Sequence, residues 1–250
     1  MVKEANGAAA RRLPPSLIFS CYTSSHETLY RDHFLPSLPL GLQSRSTRLD
    51  ITGTGDFQSR DFLQSIEAKL ELMIESIRAN TGRAIVWSDV DIIFTRDPTA
   101  LFAQMLEQED VDIWYQKEHI DYSDEVNAGL VLMRCNSIVE RFYRDVLATM
   151  RSVPGLNDQN AINRLLSEGA AVSWSYLPLQ FYARSQGWPP PRDIVAYHAN
   201  VTPGSGGVTQ KIRQFRDLRL LLKYGAPYAR YVRLRNKTMH SVTKRLRPRL

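Results

Sequence analysis

Two carboxylates, Asp89 and Asp91, are separated only by Val90 and bracketed by the apolar residues 84–87 and 92–94. Like charges so close to buried chain are costly unless a positive charge is shared between them. In extended chain, residues i and i+2 point to the same side, about 7 Å apart. Such a pair can share a divalent cation, directly or through water. A hard ion such as Mn²⁺ or Mg²⁺ takes these oxygens and keeps positions open for phosphate. The bland alternative is a pair of solvated loop acids, which the tight apolar bracketing disfavours. Within the pair, Asp91 lies nearer the second apolar run and reads as the direct metal ligand. Asp89 reads as sharing the task through water or a ribose. Asp97, before Pro98, reads as a structural cap on the next helix.

Other residues could join that chemistry. His198 ends an apolar run, "IVAYH", and can add a nitrogen ligand to a Mn²⁺-type site; a structural strand-end histidine is the alternative. A Gly-rich loop follows it, with Lys211 on its far side. That layout suits a mobile lid carrying a cation to a diphosphate, or simply the start of a basic tail. In "NAGLVLM", Asn127 offers an amide to sugar hydroxyls and Gly129 permits close backbone approach; an ordinary turn is equally compatible. In "LNDQNAINRLL", Asn157 or Asp158 can cap a helix, while Asp158 and Gln159 can face an acceptor or a developing positive charge. Lys69 borders an apolar helical stripe, either snorkelling to solvent or touching phosphate.

Elements must hold these residues. Residues 16–23, 84–87, 111–115, 128–133, 172–177 and 194–198 read as strands, with a further short candidate at 47–51. Helical periods run over 61–80, 98–108, 138–150 and 159–167. The residues after 23 read as a polar loop. This alternation predicts an α/β domain with a mostly parallel sheet flanked by helices. In such sheets ligands bind beyond the carboxyl ends of strands, where Asp89, Asp91 and His198 fall. Pro203 to Gly207 reads as a flexible loop. Ile212, Phe215, Leu218 and Leu222 then form one face of a helix that ends at Gly225-Ala-Pro227.

The totals narrow the function classes. The chain has 250 residues, 43% of them hydrophobic, enough for one substantial core. Net charge is +6, but residues 211–250 hold 13 Lys/Arg against one acid, Asp217. An acidic body thus carries a basic tail suited to an anionic partner. The tail with its tyrosines alone fits nucleic acid, whereas the acidic body does not; an anionic membrane surface is the preferred partner. No run of 18 or more apolar residues is present, and residues 1–15 read as a disordered lead-in without a secretory h-region. A cytoplasmic location, with peripheral membrane contact, is therefore expected, and Cys21 and Cys135 are expected to be free thiols.

Taken in order, "WSDVDIIFTRDP", "NAGLVLMRCN", "LNDQNAIN" and "YHAN" resemble the nucleotide-diphospho-sugar transferase family, glycosyltransferases of the GT-A fold. The likeness covers residues 16–211. It implies a Rossmann-like domain over those residues, binding a sugar nucleotide, usually UDP-linked, with Mn²⁺ or Mg²⁺; residues 212–250, read from charge and periodicity as a basic helical tail, lie outside it. It assigns Asp89, Asp91 and His198 to the metal and Asp89 also to the donor. Asn127 and Gly129 would face the donor sugar, and Asp158 and Gln159 the sugar and acceptor. Lys69 and Lys211 would touch sugar or phosphate, and Tyr22 and Thr23 the base. The acceptor would be a glycan or lipid-linked sugar, and the Asp-Gln pair points to retention. A sugar-phosphate nucleotidyltransferase is the competing enzyme class, but the Gly-rich signature usual near its N-terminus is missing from "SLIFSCYTSSHETLY".

Overall fold

A computed structural model describes residues 15–53, 60–121 and 124–246, with side chains to 236. Most of the expected lead-in lies outside the described residues.

The chain opens with strand β1 (Leu17–Tyr22). A helical run over residues 24–37 follows, where a polar loop was expected. It contains α1 (Glu27–Leu29), a π turn (Tyr30–Phe34) and α2 (Leu35–Ser37). Leu29 and Phe34 are fully buried there, so tertiary burial overrides a locally polar sequence. Strand β2 is Gln43–Arg48, which overlaps the 47–51 candidate only at its first two residues. It is a polar edge strand whose alternation carries no hydrophobic signal. Then come α3 (Arg60–Ala79), β3 (Ala84–Ser88), β4 (Ile92–Phe94), α4 (Thr99–Met105), β5 (Ile113–Lys117) and β6 (Val126–Arg134). They are followed by α5 (Ser137–Ser152), α6 (Asp158–Ser167), β7 (Trp174–Tyr176), β8 (Phe181–Ala183) and β9 (Ala196–His198). The expected strands at 172–177 and 194–198 thus shrink to three residues each, and β8 was not foreseen. Two helices close the described chain, α7 (Gly207–Tyr224) and α8 (Ala226–Leu246).

The main sheet has the order β2-β1-β3-β6-β5-β7. The pairs β1–β2, β1–β3 and β5–β7 are parallel; β3–β6 and β5–β6 are antiparallel. The sheet is therefore mixed and mostly parallel, with helices on its faces. β3 and β6 are buried along nearly their whole length and mostly apolar because both faces are covered. Ile85, Trp87, Val131 and Met133 pack under α3, α5 and α6, while Val86, Leu130 and Leu132 point to the opposite core.

A small second sheet has the order β4-β9-β8, and its β8 lies against β5 of the main one. Its β4–β9 register pairs Ile92 with His198, and the Ala199 amide donates to the Asp91 carbonyl at 3.0 Å. That pairing brings the end of β9 to the acidic turn.

α7 buries Phe215 and Leu218 in the core that holds Ile18 and Phe34. Gly225, at φ 64°, ends α7 where the sequence placed the stop. The basic remainder then resumes as helix, with Pro227 in the first turn, where its missing N–H costs nothing. Asp217 of α7 is buried and receives Arg235 Nη2 at 2.6 Å and Tyr228 Oη at 2.8 Å, tying α8 to α7. Cys21 and Cys135 are free.

Candidate functional site

The tight turn Asp89–Val90–Asp91 links β3 to β4 at the carboxyl end of β3. The Asp89 amide donates to the Gly129 carbonyl of β6 at 2.7 Å, which fixes the turn against the sheet. A cleft of about 420 Å³ opens there. Tyr22, Thr23, Lys69, Asp89, Asp91, Asn127, Gly129, Asp158, Gln159, His198 and Lys211 all line it, so each residue singled out from the sequence reaches one cavity.

The two acids differ in setting. Asp91 is 6% exposed, whereas the Asp89 side chain is 34% exposed towards the cleft. Lys211 Nζ lies 2.8 Å from Asp91 Oδ2. Burial opposes ionisation of Asp91, but Lys211 above all outweighs it and holds the carboxyl well below the usual range. Asp91 Oδ1 faces His198 Nε2 at 3.3 Å and has no hydrogen-bond partner. Desolvation pushes Asp89 up, with Lys69 opposing and Asp91 adding to the rise.

Lys69 is not a snorkelling lysine. It is buried, and its ammonium bridges Asp89 at 2.8 Å and Asp158 at 3.0 Å while donating to the Ala128 carbonyl at 3.2 Å. Burial disfavours that charge, but Asp158 and Asp89 together overcome it and hold the pKa above the ordinary lysine value. The cap of α6 is Asn157, whose Oδ1 accepts from the Asn160 amide at 2.8 Å. Asp158 is thereby left to Lys69.

Gly129 is bare for a reason the sequence did not show. A Cβ there would stand 2.2 Å from His198 Cε1, so the close approach is made by the imidazole. Asn127 is held at both ends: Oδ1 accepts from the Gly129 amide at 2.9 Å, and Nδ2 donates to Glu118 at 2.5 Å. Gln159 Oε1 accepts from the Ala128 amide at 3.4 Å. Tyr22 stacks on Tyr30 at 4.1 Å on one wall, beside Thr23, whose hydroxyl bonds Ser25 at 2.9 Å. The N-cap of α4 is Pro98, not Asp97; Asp97 Oδ1 accepts from the Thr99 amide at 2.9 Å in a turn leading into the helix.

The sequence reading missed Glu118 and Asn200, which line the cleft, and Gln116, which is buried behind it. Asn200 Nδ2 reaches Glu118 at 3.4 Å and Ser185 Oγ at 2.9 Å. "YHAN" was in hand as a motif, but its asparagine was not singled out.

Asp89, Asp91 and His198 each offer an atom within 4.8 Å of the others, a set able to hold a metal ion. The donor chemistry fits a hard or borderline divalent cation: two carboxylates and one imidazole. The partnerless buried oxygen of Asp91 is the strongest single sign, since buried polar atoms are normally satisfied.

Comparison with known proteins agrees with this architecture. The profile of the nucleotide-diphospho-sugar transferase family matches residues 40–215. The chain belongs to that family. A UDP-galactose:fucoside alpha-3-galactosyltransferase of Dictyostelium discoideum is 29% identical over 99 residues, 36% of this chain and 14% of that protein. The chain thus matches only a small part of that relative's length. Among solved structures, a glycosyltransferase involved in glycosylation of the major capsid of PBCV-1 superposes with a TM-score of 0.56. It shares 10% identity, over 81% of this chain and all of the other. The apo form of the glycosyltransferase GlyE of Streptococcus pneumoniae TIGR4 gives 0.56 at 14% identity, over 84% of this chain and 62% of its own. At these identities the likeness is one of fold: the family member described here has the architecture of GT-A glycosyltransferases.

Proposed function

We propose that this family member is a nucleotide-sugar-dependent glycosyltransferase that works with Mn²⁺ or Mg²⁺ and a UDP-linked donor. The observation that carries the reading is the Asp91 carboxylate oxygen, buried and partnerless, facing His198 Nε2 in the cleft. Asp91 and His198 would hold the ion, with Asp89 completing the set. When bound, the cation supplies neutralisation of charge building on the departing diphosphate. The protein's own groups do the rest. Lys211, in the second turn of α7, can move its ammonium from Asp91 towards phosphate. Lys69 fixes Asp89 and Asp158 relative to one another, which preorganises the floor of the sugar site. The Tyr22–Tyr30 stack offers a flat wall to the base.

Retention is favoured over inversion because the cleft carboxylates among the described residues are all engaged. Lys69 holds Asp89 and Asp158, Lys211 holds Asp91, and the Asn127 and Asn200 amides hold Glu118. Among the described residues none of these is placed as a free general base.

The acceptor is proposed to be a glycan or lipid-linked sugar, with the basic helices resting on an anionic membrane. Among the described residues no helix is long and apolar enough to cross a bilayer. Arg213, Arg216, Lys223, Arg230 and Arg233 are exposed on α7 and α8, with Leu222 and Tyr231 about half exposed among them. Because α7 packs into the core, charge reversal at Arg230 and Arg233 is a cleaner test than truncation. Flotation with phosphatidylserine vesicles should fall; unchanged flotation would remove the membrane contact.

The activity is tested with a panel of sugar nucleotides and Mn²⁺, scored for nucleotide release and thermal shift. A UDP-sugar should raise the melting temperature and be hydrolysed, and EDTA should abolish hydrolysis. Absence of both effects across the panel would overturn the proposal.

A further inference from the structure

Gln116 lies on β5 at the point where the register to β6 shifts, between Tyr115 and Gln116. It is fully buried, and no sequence feature marked it. Its Nε2 donates to the Phe181 carbonyl at 3.3 Å. The amide is thereby oriented with Oε1 free to accept, and Oε1 lies 3.1 Å from His198 Nδ1. An amide oxygen can only accept, so this contact calls for a proton on Nδ1. In the neutral ring His198 Nε2 then carries a lone pair. With the ring neutral, Nε2 and the partnerless Asp91 Oδ1 would be two acceptors 3.3 Å apart, a pair suited to share a cation. Gly129 clears the ring's flank, and β9 pairing on both sides fixes its backbone.

We propose that Gln116 is a positioning residue that locks His198 into the Nδ1–H tautomer and so presents Nε2 as a ready metal ligand. The proposal rests on the Asp89–Asp91–His198 metal reading. Alternation along β5 gives it a structural cause: Gln116 shares the face of Trp114, whose core also holds Ala196 and Tyr197 of β9. Partners that orient a metal-bound histidine typically change affinity by about 10–100-fold when removed.

The test uses the full chain with Gln116→Leu, which deletes the acceptor, and Gln116→Glu, which keeps one. Mn²⁺ affinity is measured without donor, by EPR of the free ion. The tautomer is read without metal by ¹⁵N-histidine NMR, with the His198 signals assigned by loss in His198→Ala. Wild type should show the Nδ1–H form. Gln116→Leu should shift towards Nε2–H and lose about 10–100-fold in Mn²⁺ affinity. Gln116→Glu should retain both properties. Equal affinity and tautomer in wild type and Gln116→Leu would overturn the proposal while leaving the metal site standing. Equal loss in both variants would assign Gln116 a packing role and overturn it too. Failure of wild type to bind Mn²⁺ would overturn the metal reading, and this proposal with it.

Discussion

Replacing Gly129 by alanine tests the construction of the site directly. Gly129 lies within β6 and is not among the positive-φ glycines, so alanine meets no backbone penalty there. What it meets is His198. The new Cβ would stand 2.2 Å from Cε1 and 2.7 Å from Nδ1. Ordinary contact begins near 3.4 Å, so the ring must retreat by about 1.2 Å. It cannot swing freely, because β9 is paired with β4 on one side and β8 on the other. Overpacking of this kind costs about 1–3 kcal/mol of stability. A displacement of about 1 Å in a catalytic group costs on the order of 100-fold in rate. Urea unfolding and Mn²⁺-dependent UDP release are the assays. Gly129→Ala should lose stability in the stated range and nearly all metal-dependent activity. Adding His198→Ala removes the two contacts under 3.0 Å and leaves Asn127 Oδ1 at 3.0 Å, so the double variant should regain most of the stability but not activity; the two changes are coupled, not additive. Wild-type activity in Gly129→Ala would refute the reasoning, since the ring would then have room the structure denies it.

Three further outcomes are expected. Asp91→Asn should fold, as its melt will show, yet lose metal-dependent UDP release by at least about 100-fold, the scale set by a lost electrostatic group; full activity would sink the metal assignment. Lys69→Met leaves Asp89 and Asp158 facing each other without their shared cation, and stability in urea should fall by about 3 kcal/mol, the low end for a broken buried pair because Asp89 opens to the cleft. Asp217 is pushed up by burial, but hydrogen bonds from Arg235 and Tyr228 outweigh this and hold its pKa below the usual value of 3.8. Its folded pKa is the lower one, so its stabilisation is complete above about pH 4 and is lost as pH falls through the folded value. Proteolysis of α8 should therefore rise on acidification in wild type, and Asp217→Asn should be susceptible already at neutral pH.

Much of this protein is written locally. The periods of α3, α5 and α6 and the apolar runs of β3 and β6 follow from residue order, because both signals need only neighbours on one face. Strand ends could be placed from those runs, and with them Asp89, Asp91 and His198 at the rim. Where the pattern is too short or too polar, order is silent. The three residues of β8 and the polar edge strand β2 carry no period long enough to read. Residues 24–37 look like a loop until Leu29 and Phe34 find their core.

The chemistry of the site divides in the same way. The sequence determined which acids and which histidine could meet a cation, because a two-residue spacing and a strand terminus are local facts. Only the tertiary structure decided their states. Lys69 is a buried bridge because α3 packs beside the turn and α6 delivers Asp158 to it. Gln116 reaches His198 across 82 residues of chain, and Glu118 reaches Asn200 across the same separation. Gly129 is bare because β9 lays an imidazole on β6. Hydrogen bonds and charge pairs act over about 3 Å, whatever the separation in sequence. A tautomer or a shifted carboxyl is therefore fixed by packing that no local pattern records.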